Sequence, residues 1–127
     1  MINYILVAAG AAIGGALRYW LTDVAHKIIQ TTFPIGTLAV NVIGSFILGI
    51  LVYYLDANEL LSSYMKVLLM IGFCGGFTTF STFSFETMEL FRNSEYILGI
   101  GNILLNIFLT LAALVLAIII AKALTRG

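Results

Sequence analysis

Gly72-Phe73-Cys74-Gly75-Gly76-Phe77-Thr78-Thr79-Phe80-Ser81-Thr82-Phe83-Ser84-Phe85-Glu86 is the stretch on which the fold turns. It begins as part of a long apolar run and then fills with glycine and hydroxyl residues. Glycine at this density weakens a helix. Three glycines followed at once by Thr78-Thr79 predict a break in the backbone. A break frees amides and carbonyls that lipid cannot satisfy, so it is tolerated only inside protein or along a cavity. A continuous helix with a small-residue packing face is the plainer reading of the same residues.

The rest of the chain sets this stretch in a membrane. Of 127 residues, 61% are hydrophobic and 9% are charged, and the mean hydropathy is +1.10. Soluble domains carry about 25% charged residues. One domain over residues 1–127 is expected at this length. A hydrocarbon core takes about 20 apolar residues of helix. Four stretches reach that length: about Ile2 to Leu21, Ile35 to Leu55, Tyr64 to Leu90 and Tyr96 to Ala121. The prediction is therefore an all-α integral membrane protein of four spanning helices, the third broken mid-membrane. No basic segment precedes the first run, so it is read as a retained span and not a cleaved signal.

Charge and composition exclude other classes. Six basic and six acidic residues leave no basic patch for nucleic acid. One cysteine, Cys74, and one histidine, His26, build neither a disulfide nor a metal site. No nucleophile–base pair or catalytic metal set is apparent, so an enzyme is not expected.

Small residues four apart let membrane helices approach closely. Gly10 with Gly14, Ala11 with Gly15, and Ala12 with Ala16 have this spacing, and Gly44 and Gly49 mark the second span. Ordinary packing accounts for them.

Polar groups at membrane depth are costly and point to function. Asn41 lies among Val40, Val42 and Ile43; its amide reads either as a pore donor or as an interhelical bond. Arg18 either snorkels to the interface or holds an anion near a pore mouth. Glu86, one turn after Thr82, either ends a buried hydrogen-bond track or sits at the interface. Asn102, Asn106 and Thr110 are four apart and stack on one face of the fourth span. They are either a polar track or interhelical bonds. Phe80 and Phe83 share a face, with Phe77 three residues before Phe80. They alternate with Thr79, Ser81, Thr82 and Ser84, an odd pattern for plain packing. Ring edges are electropositive, so phenyl edges beside hydroxyl and amide donors can solvate a small dehydrated anion without trapping it.

Two of these stretches resemble the Fluc family of microbial fluoride channels. They are Gly36-Thr37-Leu38-Ala39-Val40-Asn41-Val42-Ile43-Gly44 and the Gly72–Ser84 segment. Gly14-Gly15-Ala16-Leu17-Arg18-Tyr19 also fits, and the likeness extends over the whole chain in length and span order. The resemblance implies a dual-topology antiparallel homodimer in the inner (cell) membrane of a microbe. It implies passive fluoride export and a structural sodium ion. Carried onto this chain, it makes Phe80 and Phe83 the pore phenylalanines and Asn41 the pore amide. Thr79, Ser81 and Thr82 become a hydroxyl track toward Glu86. Gly75 and Thr78 carbonyls would hold sodium, and Arg18 matches the family's arginine near the end of the first helix. The fourth helix is the family's variable part, so Asn106 and Thr110 as pore lining, and any role of Asn102, transfer least directly.

Charge agrees with dual topology. Lys66, Lys122 and Arg126 fall on one side; Lys27, Arg92 and Arg18 fall on the other, three against three. Lysine and arginine bias normally fixes orientation, and here the bias is absent. A different class, the small proton-coupled multidrug antiporter, also has four spans, but it depends on a carboxylate within the first helix. None lies between Ile2 and Leu21.

Overall fold

The computed structural model describes residues 1–127, all of them in or between helices. We label α1 Ile2–Ile28, α2 Ile35–Asp56, α3 residues 63–77, α4 Ser81–Arg92 and α5 Tyr96–Arg126. α1, α2, the α3–α4 pair and α5 make four lengths long and apolar enough to cross a membrane. Only 22 of 127 residues are buried, while Ile5, Ile13, Trp20, Phe108 and Leu116 face outward. The outward face is apolar and the inside is rich in glycine, alanine, threonine and asparagine, as lipid surroundings require. This is the architecture of a multi-pass membrane protein.

The helices end where local chemistry ends them. α1 continues past the anticipated Leu21 to Ile28, and Asp23 and Lys27 pair at 2.8 Å along its last turns. His26 therefore sits on a helix, not in a polar break. Pro34 lacks an N–H and opens α2, where the first amides need no helical partner. The last turns of α2, Leu51–Asp56, and the middle of α3, Val67–Phe73, are wound as wider π-helix. Such insertions shift the face that later residues present. Lys66 and Asp56 pair at 2.6 Å across the α2–α3 turn. Ser62 caps α3 by accepting from the Met65 amide at 3.2 Å. Ser94, in left-handed conformation at φ 61, turns the chain from α4 into α5.

Close approach organises α1 against α3. A Cβ on Gly10 would strike the Leu68 carbonyl and the Phe73 amide, and one on Gly14 the Phe73 carbonyl and the Phe77 amide. Gly76 lies equally close to Ala11. The pairs Ala11 with Gly15 and Ala12 with Ala16 do not form such a seam: Gly15 has open space, and Ala12 and Ala16 are exposed. α5 packs on α2 through small residues, with Gly49 facing Ala117.

The third length is interrupted at residues 78–80. α3 stops at Phe77, Thr78 is extended at φ −90 and ψ 161, and α4 starts at Ser81. Phe77 turns away from Phe80 at this point. It stacks on Phe73 with ring centroids 5.7 Å apart, beneath Gly44.

Candidate functional site

The interruption would strand backbone groups, and side chains from two other helices, α1 and α2, meet them. Asn41 on α2 does most of this. Its Oδ1 accepts from the Thr79 amide at 2.9 Å, and its Nδ2 donates to the Thr79 carbonyl at 3.1 Å. The second Nδ2 hydrogen goes to Asn106 Oδ1 on α5, at 3.0 Å. Both amide hydrogens are thus committed within the chain, and to serve an anion Asn41 would have to release one. Arg18 on α1 turns inward, not out to an interface: its Nε donates to the Gly76 carbonyl at 3.0 Å. Thr79 Oγ1 accepts from the Thr82 amide at 3.2 Å and starts α4.

The Gly75 and Thr78 carbonyls are among those left without a backbone partner. The Thr79 amide, which would close the helical turn onto Gly75, goes to Asn41 instead. The Thr82 amide, which would close onto Thr78, goes to Thr79 Oγ1. The Thr78 hydroxyl donates to the Cys74 carbonyl at 2.9 Å and so presents its lone pairs outward. Gly75 and Thr78 border one cavity, and a Cβ on Gly75 would meet nothing within 4 Å. Uncharged oxygens of this kind suit a hard cation.

That cavity, of 380 Å³, lies between α2, α3, α4 and α5. Asn41, Thr79, Phe80, Phe83, Asn106 and Thr110 all border it. Phe80 and Phe83 form a tilted pair, with ring centroids 5.4 Å apart and planes at 55°. Phe83 is 9% exposed, but Phe80 is 77% exposed in the single chain. A second, polar cavity of 250 Å³ lies across the break, lined by Arg18, Thr22, Thr37, Thr79 and Thr82. Thr79 borders both. Thr37, 2% exposed, donates to Glu86 Oε1 at 2.5 Å and ties that carboxylate to the second cavity's wall. Ser81 borders neither cavity; it is exposed beside Phe80, with its Oγ 3.5 Å from Thr79 Oγ1.

On α5, Asn102 and Asn106 are buried and hydrogen-bonded, and Thr110 is half-buried. Asn106 Nδ2 donates to Asn102 Oδ1 and to the Asn102 carbonyl, both at 2.9 Å. Thr110 donates to the Asn106 carbonyl at 2.5 Å. Asn102, 0% exposed, donates to Thr87 Oγ1 at 2.9 Å. Thr87 was not singled out from sequence. A signal existed: a buried amide stripe on one helix needs partners on its neighbour, and Thr87 is one turn past Phe83.

At one end of α4, His26, Glu86, Glu89 and Glu95 line a third cavity. No group of three or more such side chains is arranged to hold a metal ion.

Comparison with known proteins follows the same residues. Residues 5–118 match the family described as CrcB-like protein, Camphor Resistance (CrcB). A protein of Dehalococcoides mccartyi named fluoride-specific ion channel FluC is 43% identical over 111 residues, covering 87% of this chain and 85% of its own. One of Ruminiclostridium cellulolyticum with that name is 39% identical, covering 96% and 94%. One of Rhizobium johnstonii, again so named, is 40% identical, covering 98% and 99%.

Proposed function

This chain belongs to the CrcB-like family, and we propose that it is a passive channel, selective for fluoride, that lets the ion leave the cytoplasm and so limits its toxicity. The observation that carries the reading is the tilted Phe80–Phe83 pair beside an interrupted helix, bordering a cavity with Asn106 and Thr110. Fluoride holds its water tightly, so a pore must replace that water with several weak donors. Ring edges offer partial positive charge, and hydroxyls and amides add hydrogen bonds. None of these donors at the ring pair holds a full charge, so the ion can leave it as easily as it enters. Arg18 and the threonines of the second cavity would receive the ion on the other side of Thr79, with Thr82 and Ser81 as further donors. Glu86, tied down by Thr37, would end the hydroxyl track.

The working unit in this reading is an antiparallel homodimer, with the break at mid-membrane. Irregular backbone cannot face lipid, yet Gly75 and the 77% exposed Phe80 border an open cavity in one chain. A second copy would wall it. The even division of basic residues fits insertion both ways. Labelling of a terminal tag in intact cells is expected to find both orientations; a single orientation in all molecules would sink the antiparallel arrangement.

A sodium ion is the structural cofactor proposed for the break. The Gly75 and Thr78 carbonyls would hold it, and a second copy across a twofold axis would double their number. Bound there, it would stabilise the pair of chains and lend positive potential to nearby anion paths. Replacing sodium by a large organic cation during purification should lower fluoride flux. Unchanged flux after verified removal would count against the site.

The antiporter alternative gains no support, since the relatives are named as channels. The direct test is efflux from liposomes holding the purified protein and loaded with fluoride or chloride. Fluoride should leave and chloride should stay. Retained fluoride, or equal loss of both, would refute the proposal.

A further inference from the structure

Five hydrogen bonds around the break run in one direction. The Thr79 amide donates to Asn41 Oδ1, Asn41 Nδ2 to Asn106 Oδ1, and Asn106 Nδ2 to Asn102 Oδ1. Asn102 Nδ2 then donates to Thr87 Oγ1, and the Thr87 hydroxyl donates to the Phe83 carbonyl at 2.7 Å. The chain of donors leaves the backbone at Thr79, crosses α2 and α5, and returns to it at Phe83. Those two residues bracket the segment that carries Phe80 and Phe83. The order is self-consistent: turning any one of the three amides end for end would set two acceptors or two donors face to face. No buried side-chain nitrogen or oxygen is left without a partner. Hydrogen bonds aligned in series polarise one another, and a satisfied buried network rigidifies what it holds.

We infer that Thr87 and Asn102 are positioning residues: they complete a relay that fixes the Thr79–Phe83 segment and hence the ring pair, without touching an ion. Neither lines any of the cavities described above. Thr87 is 6% exposed and Asn102 is 0% exposed, and the polar atoms of both are bonded within the chain. The role rests on the channel reading, since it concerns the geometry of the proposed ring edges.

Three variants test it. Thr87→Val keeps the shape and removes the hydroxyl, leaving the Asn102 amide without its acceptor. Thr87→Ser keeps the hydroxyl. Thr87→Val with Asn102→Leu removes both partners, and Asn106 Nδ2 keeps the backbone carbonyl of residue 102 as an acceptor, so it stays informative if the single valine variant fails to fold. Fluoride efflux is expected to fall about tenfold or more in both valine variants and to stay within about twofold of the parent in Thr87→Ser. A second readout needs no ion flux. In protein labelled with 15N-asparagine, the side-chain amide signal of Asn41 should move in Thr87→Val, although Asn41 is three hydrogen bonds away, and return toward its place in Thr87→Ser. Parental flux from a folded valine variant overturns the relay. So does an Asn41 signal that stays put, or a serine variant as impaired as the valine one, which would assign the effect to the methyl group. If the parent itself releases no fluoride, the channel reading fails, and the amide signal alone then decides for or against the relay.

Discussion

The two halves of the third membrane length are held in opposite ways. α3 is pressed against α1 with backbone on backbone, through Gly10, Gly14, Gly72 and Gly76. α4 begins only three residues after α3 ends, yet it is tied by side-chain hydrogen bonds from Asn41, Thr37 and Asn102. Close packing suits the part that must not move, because lipid supplies no hydrophobic drive and van der Waals contact between small residues takes its place. Directional bonds suit the part that must present chosen atoms to a cavity. The contrast implies different weaknesses: added bulk should ruin the first half, and lost polarity the second.

Bulk should have the largest effect. Gly14→Leu would put a Cβ against the Phe73 carbonyl and within 2.9 Å of the Phe77 amide. Neither is the end of a flexible side chain, so the helices must part. A loss of about 3 kcal/mol or more is expected, read as failure to give a monodisperse folded peak in detergent. A normal yield and melting temperature would mean that α1 and α3 need not touch.

Polarity comes next. Asn41→Leu would strand the Thr79 amide, the Thr79 carbonyl and Asn106 Oδ1 together. Each buried group left without a partner costs about 1–3 kcal/mol, and fluoride flux should be lost with the geometry of the break. Thermal unfolding in detergent measures the first effect and liposome efflux the second. A stable, conducting Asn41→Leu protein would show that the break holds itself.

Thr37→Val should be milder. It removes one donor to Glu86 and keeps the volume, and single interhelical hydrogen bonds in membranes are worth about 0.6 kcal/mol on average. A small drop in melting temperature is expected, restored by Thr37→Ser. Gly15→Ala marks the lower end of the series. Its Cβ meets nothing within 4 Å, and stability should stay within about 0.5 kcal/mol of the parent. A large loss there would mean that a surface absent from the single chain packs on this position.

The same contrast explains what could be read in advance. Four long apolar runs name four membrane lengths, because bilayer thickness leaves few alternatives. The glycine spacing at Gly10 and Gly14 names the α1 seam for a similar reason, although it does not say which helix lies opposite. The break after Gly75-Gly76 is legible because glycine and hydroxyl residues side by side disfavour helix. Helix ends were less legible: α1 runs about two turns past Leu21, through Asp23 and Lys27, which a hydropathy count treats as a stop. Phe77 was out of reach as well. Its three-residue interval to Phe80 predicts one face, but the chain turns extended between them, and the interval then carries no meaning. Polar side chains gave positions but not partners. Whether Asn41 meets an ion, the backbone or another asparagine depends on the crossing of three helices, and so Thr87 passed unnoticed.

Efflux of fluoride through the altered ring pair tests the central claim most directly. Phe80→Ile and Phe83→Ile nearly keep the bulk and abolish the aromatic edge, and Phe108→Ile, on the outward face of α5, serves as the control. The account predicts severe loss of fluoride efflux in both pore variants, each still eluting at the parental size, with the control close to the parent. Parental efflux from both Phe80→Ile and Phe83→Ile would contradict it and return the two phenylalanines to plain packing.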